Sequence, residues 1–134
     1  MGHCGGPLGY GPYTGKRDEV FAGWKASISE LATCPNVTMK VGGMMMRLAA
    51  FDYGAQPAPL SSAELAAHWR TYIELCIERF GPARCMFESN FPVEKMGIGW
   101  AALWNALKRI AAGASAEEKR ALFSGTARRA YRLE

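Results

Sequence analysis

The stretch Phe80–Val93, F-G-P-A-R-C-M-F-E-S-N-F-P-V, constrains this chain more than any other. It strings together a helix end, a turn, a short buried strand and a polar cluster cut off by proline. Phe80 is the last apolar residue of a helical pattern, and Gly81-Pro82 is a helix-stop signal. Arg84 to Phe87 reads as a strand too short to show a dependable period. Glu88, Ser89 and Asn90 then fall at the strand's carboxyl end, where Phe91-Pro92 forces the chain into a loop. Buried parallel strands of α/β enzymes carry their chemistry at that end.

The rest of the chain alternates helix and strand around this stretch. Met1 to Gly15 is glycine-rich, which permits left-handed backbone and close approach of a ligand to the main chain. It does not match G-x-G-x-x-G and no strand pattern precedes it, so a dinucleotide site is unsupported. Arg17 to Thr33 reads as a helix with Val20, Phe21, Trp24, Ile28 and Leu31 on one stripe. Val37 to Val41 is rich in β-formers and closes on Gly42-Gly43. Lys40, near that strand's carboxyl end, has two readings. It neutralises a substrate carboxylate at the mouth of the site, or it snorkels to solvent.

Met44 to Leu60 is a long strand-to-helix connection of the kind that lines or covers sites. Arg47 within it is a candidate anion clamp, because a guanidinium binds a carboxylate through two parallel hydrogen bonds. Ser61 and Glu64 form a capping box opening a helix to Arg79, with Leu65, Trp69, Tyr72, Ile73, Cys76, Ile77 and Phe80 as its apolar stripe. His68 on that helix has no second ligand at metal-binding spacing. Trp100, Leu103, Trp104, Leu107 and Ile110 mark another helix. Ser115 and Glu118 repeat the capping box, and Gly125 is expected to separate a last short helix whose Tyr131 and Leu133 dock on the core.

With 134 residues, 49% of them hydrophobic, the chain is sized and composed for a single soluble domain with its own core. No apolar run approaches the roughly 20 residues needed to span a bilayer. The first residues lack the basic and apolar parts of a signal peptide, so a cytoplasmic location is expected. The net charge of +4 draws partly on Arg128, Arg129 and Arg132 in the tail. They read as the solvated face of a terminal helix, since no nucleic-acid motif accompanies them. The four cysteines make no Cys-x-x-Cys pair, and Cys76 and Cys85 sit at apolar positions as small core residues.

Three segments, taken in order, resemble the amidohydrolase-related family of metal-dependent TIM-barrel hydrolases and decarboxylases. They are H-C-G-G-P at the start, P-N-V-T-M-K-V-G-G in the middle, and F-G-P-A-R-C-M-F-E-S-N-F-P-V with the tail G-T-A-R-R-A-Y-R-L. The resemblance implies an α/β fold that is the C-terminal part of a TIM (β/α)8 barrel, about three strands with their helices. A complete barrel takes about 250 residues, so residues 1–134 are expected to form a single partial barrel domain, a fragment.

The same resemblance makes His3 the active-site histidine, an acid/base or substrate-orienting group. It places Asn90 where the family carries an aspartate. An amide binds divalent metal weakly and cannot act as a general base, so Glu88 is the alternative carboxylate, set against pairing with Arg84 or Lys40. Zinc or another divalent metal belongs to the intact parent family. No metal or other cofactor is expected for this chain, because His3 and Asn90 fall short of the about three protein ligands a catalytic zinc takes.

The implied chemistry is water attack on a carbonyl of a small carboxylated, lactone-like or amide-like substrate. His3, Asn90 and Glu88 are the catalytic candidates, with Lys40 and Arg47 as substrate-binding cations. The other reading is a catalytically inactive truncated product or scaffold that associates, as a homo-oligomer, through open sheet edges. Neither reading involves nucleic acid or a membrane.

Overall fold

Two short strands hold the fold together in the computed structural model, which describes residues 1–44 and 58–134. Strand β1 (Met39–Gly42) and strand β2 (Cys85–Glu88) pair in parallel, with Met39 opposite Cys85 and Gly42 opposite Glu88. About three strands were expected, and the described residues contain two. In place of a third, Met1 lies along β1, its amine donating to the Thr38 carbonyl at 2.9 Å and its carbonyl accepting from the Lys40 N–H at 2.8 Å. One residue paired this way is a bridge rather than a strand.

Because side chains alternate along a strand, the two strands sort their residues between two environments. Met39, Val41, Cys85 and Phe87 belong to the hydrophobic core. Lys40, Met86 and Glu88 occupy the opposite face. The core face packs on helix α2 (Ser62–Phe80) and, through Phe87 on Phe123, on the turn Ala121–Gly125, while α1 (Arg17–Ala32) and α3 (Trp100–Ile110) pack on α2 along stripes the helical periodicity marks out. Phe21, Trp24 and Tyr72 interlock where α1 meets α2, with Tyr72 5.1 Å from Phe21 and 5.0 Å from Trp24 between ring centroids. Helix α2 starts at the expected capping box, Ser61 accepting from the Glu64 N–H while Glu64 takes the Ser61 N–H.

Cys4, Cys76 and Cys85 are all buried. The hydrogen bond that the Cys76 thiol donates to Cys4, together with burial, pushes Cys76 up, and burial pushes Cys85 up to about 12. These are inert core thiols, as the apolar pattern around Cys76 and Cys85 indicated. Cys34 is exposed.

Two expectations are corrected at the C-terminal end. Gly125 does not separate two helices: α4 (Ala116–Arg120) runs through a π-helical turn, Ala121–Gly125, straight into α5 (Thr126–Tyr131). The widened turn brings the Arg120 carbonyl within 3.3 Å of where a Cβ on residue 125 would stand, so glycine supplies room rather than a break. Tyr131 and Leu133 are exposed rather than docked; Arg132 turns left-handed (φ 54°) and caps α5, the Leu133 N–H donating to the Arg128 carbonyl at 2.9 Å. Trp100 is also exposed, lying against Phe91 with ring centroids 5.0 Å apart. What docks the tail is polar. Arg129 donates to the Ala83 carbonyl at 2.8 Å, and the buried Thr126 hydroxyl bonds the Pro82 and Ala83 carbonyls.

Arg84 does not pair with Glu88. Four residues of strand separate them by about 13 Å, and Arg84 stands at the amino end of β2. There its guanidinium donates to the carbonyls of Ala32 (2.9 Å), Cys34 (2.9 Å) and Phe80 (3.0 Å). These are the unsatisfied carbonyls that helix ends leave behind, so one cation closes the last turns of α1 and α2 together. No described helix is long and apolar enough to cross a membrane.

Candidate active site

At the carboxyl ends of the strands, His3, Lys40 and Glu88 come together. Glu88 ends β2 with its side chain on the polar face and is only 8% exposed. Its Oε1 accepts from the His3 backbone N–H at 2.7 Å and lies 2.9 Å from the ring Nδ1. Its Oε2 lies 2.6 Å from the Lys40 ammonium. A carboxylate can only accept, so Nδ1 carries the hydrogen in this pairing and Nε2 is the nitrogen with a free lone pair. The hydrogen bond to Glu88 holds the Lys40 ammonium above its usual pKa, against the opposing effect of burial.

Glycines make this approach possible. An added Cβ on Gly43 would run into the His3 imidazole, and one on Gly42 would run into the Glu88 carbonyl. His3 itself sits in a left-handed turn that continues through Cys4, Gly5 and Gly6, with φ of 53°, 49°, 74° and 60°. Two non-glycine residues in that region cost roughly 1–2 kcal/mol each. The turn is held by the Glu88 bond on one side and on the other by Trp24 Nε1, which donates to the Cys4 carbonyl at 2.7 Å.

Asn90 makes its side-chain hydrogen bond outside this cluster. The chain turns left-handed at Asn90 (φ 51°), and its amide nitrogen donates to Glu94 Oε1 at 3.0 Å. Glu94 is 1% exposed, a burial that its place in an E-K-M-G loop gave no sign of. Arg47 lies outside the described residues. Of the candidates that are described, three of four therefore converge, and the carboxylate at their centre is Glu88.

The amidohydrolase family model matches residues 1–133, and the chain belongs to that family. It is 36% identical over 113 residues to protein y4mH of Sinorhizobium fredii, which covers 84% of this chain and 34% of that one. It is 32% identical over 117 residues to the L-fucono-1,5-lactonase of Burkholderia multivorans, covering 87% of this chain and 37% of that one. A Burkholderia multivorans amidohydrolase, crystallised with HEPES, superposes with a TM-score of 0.83 at 29% identity, covering all of this chain and 44% of that one. A second crystal form contains zinc, with a TM-score of 0.81. The chain thus spans a little over a third of the curated relatives it matches, and the fold is a part of the family's α/β barrel.

The described residues do not fit a zinc ion. They contain no group of three or more histidine, cysteine, aspartate or glutamate side chains able to hold a metal. The best single donor, Glu88, has one oxygen engaged by His3 and the other by the Lys40 ammonium, which stands where a cation would bind.

Proposed function

We propose that this chain forms part of the site of a hydrolase that opens a small lactone by water attack on its carbonyl, with His3 as the base. The observation that carries the reading is the Glu88–His3 pair. A carboxylate that fixes the imidazole through Nδ1–H leaves Nε2 oriented as a proton acceptor. Water gives its proton to Nε2 as its oxygen bonds to the carbonyl carbon. The ring C–O bond then breaks and the departing oxygen takes the proton from the imidazolium, leaving a hydroxy acid. Glu88 is a positioning residue in this scheme, and Lys40 balances its charge. That role leaves Lys40 less able to serve as a clamp for a substrate carboxylate. A neutral lactone therefore suits the described residues better than a carboxylated one, and the likeness to a lactonase supports the same choice.

The test is proton release from small sugar lactones, L-fucono-1,5-lactone among them, by the protein and by its His3→Ala variant. General-base catalysis contributes typically 10²–10⁴-fold, so the variant is expected to be at least about 100-fold slower. Equal rates would overturn the reading.

A second reading, association through the sheet edge, has its own observation. Among the described residues β2 pairs with β1 alone, and the buried Trp104 Nε1 nearby in the fold has no hydrogen-bond partner. An unpaired parallel edge and an orphaned donor both favour a covering chain. Light scattering expects a mass above that of one chain; a concentration-independent monomer would exclude it.

A further inference from the structure

The loop after β2 contains a buried acid that the proposed chemistry does not use. Glu94 lies in the short turn Val93–Met96 and is 1% exposed, while its neighbours Val93 and Met96 are exposed. Taking a carboxylate out of water costs several kcal/mol unless donors compensate it. Glu94 is tied to Asn90 twice: the Asn90 amide nitrogen donates to Glu94 Oε1 at 3.0 Å, and the Glu94 N–H donates to the Asn90 carbonyl at 3.2 Å. Its own carbonyl accepts from Gly97 and Ile98 at 3.1 and 3.0 Å, which closes the loop around it.

These bonds decide what residue 90 presents. A carboxylate accepts and never donates while ionised, so the amide nitrogen must face Glu94 and the amide oxygen must face away. Asn90 is half-buried, two residues beyond Glu88 at the carboxyl end of β2, and the left-handed turn locks its backbone. We propose that Glu94 is a positioning residue that fixes the Asn90 carbonyl oxygen as a neutral acceptor for a hydroxyl of the substrate, so that the site favours hydroxylated, uncharged lactones over carboxylated ones. The inference rests on the lactone-hydrolase reading and extends it to substrate class.

The test is a cycle of three variants, Asn90→Asp, Glu94→Gln and the two combined, followed by thermal unfolding and by hydrolysis of a neutral sugar lactone and a carboxylated lactone. Asn90→Asp sets two carboxylates about 3 Å apart, where both cannot stay ionised, and is expected to melt at least 5 °C lower. The combined variant reverses donor and acceptor and is expected to recover most of that loss. It also puts the charge on the side that faces the substrate, so the ratio of kcat/KM for neutral over carboxylated lactone is expected to rise about tenfold. A purely structural pair would recover the melt and leave this ratio unmoved, which would overturn the proposal. Additive losses in the combined variant would overturn it as well. If the unaltered protein hydrolyses neither lactone, the hydrolase reading falls with the substrate assignment, and the melting cycle still decides whether the pair exists.

Discussion

The two ends of β2 each carry a charged side chain that ties separate segments together, and they do so in opposite chemical ways. Arg84, at the amino end, gathers three backbone carbonyls from the ends of α1 and α2. Glu88, at the carboxyl end, gathers an imidazole, a main-chain N–H and an ammonium. Carbonyls neither titrate nor change rotamer, so the Arg84 contacts have one state. Two of the three Glu88 partners are side chains that exchange protons. A strand of four residues thus separates a fixed end from a titratable one, and barrel enzymes divide their stability face from their catalytic face along the same direction.

Removing Arg84 is the strongest way to break that comparison. Hydrogen bonds from charged donors are worth about 1.5–3 kcal/mol each, and water replaces part of them at this half-buried site. Arg84→Ala is expected to lose about 3 kcal/mol, lowering the melting temperature by roughly 10 °C by circular dichroism. A loss under about 1 kcal/mol would show that the amino end is not the fixed one.

Gly43→Ala comes next. It combines a left-handed position (φ 65°) with a Cβ driven into the His3 ring. About 2 kcal/mol of stability should go, and the imidazole resonances of His3 should shift in NMR spectra. Unchanged His3 resonances would mean that the glycine is not what admits the ring.

Glu88→Gln sharpens the contrast by separating stability from activity. Its stability cost is expected to be about 1 kcal/mol, below that of Arg84→Ala, because glutamine keeps an oxygen to accept from the His3 N–H and the Lys40 and His3 side chains left behind reach solvent. Its effect on hydrolysis should be about 100-fold. A larger stability loss at Glu88 than at Arg84 would reverse the assignment of the two ends.

The smallest effect lies in alkaline pH. The folded protein holds the Lys40 ammonium above its ordinary value of 10.5, chiefly through the Glu88 hydrogen bond. Its contribution is therefore intact below about pH 10.5 and is lost as pH rises through the folded value. Lys40→Met should be slightly less stable than the parent at pH 8, by up to about 1 kcal/mol, and equal to it well above pH 11. A gap that persists at high pH would point to packing of the Lys40 stem instead.

Much of this layout is written locally in the chain. Ser61 with Glu64 and Ser115 with Glu118 announce two helix starts because both partners of each box lie within one turn. The convergence of His3, Lys40 and Glu88 follows once each is placed at the carboxyl end of its segment. Arg84 was harder, since charge alone offers Glu88 as its partner, and only the strand's length sends it to the helix ends. Tyr131 and Leu133 look like a docking stripe because helical spacing says nothing about whether a neighbour exists to receive it. The burial of Glu94 depends on how the loop folds back, which no short-range pattern encodes.

The left-handed turn at the start of the chain has one more consequence. His3 faces Glu88, while the next residue, Cys4, is fully buried in the core with its carbonyl gripped by Trp24. A Cβ on Gly5 would fall 2.8 Å from Ile28 Cδ1, so the turn rests directly on α1. The imidazole proposed as the base and the packed interior are two arms of one short lever whose fulcrum is a helix. Changes at Trp24 or Ile28, far from any substrate, would tilt that lever, and the reactivity of His3 would be tuned from inside the protein.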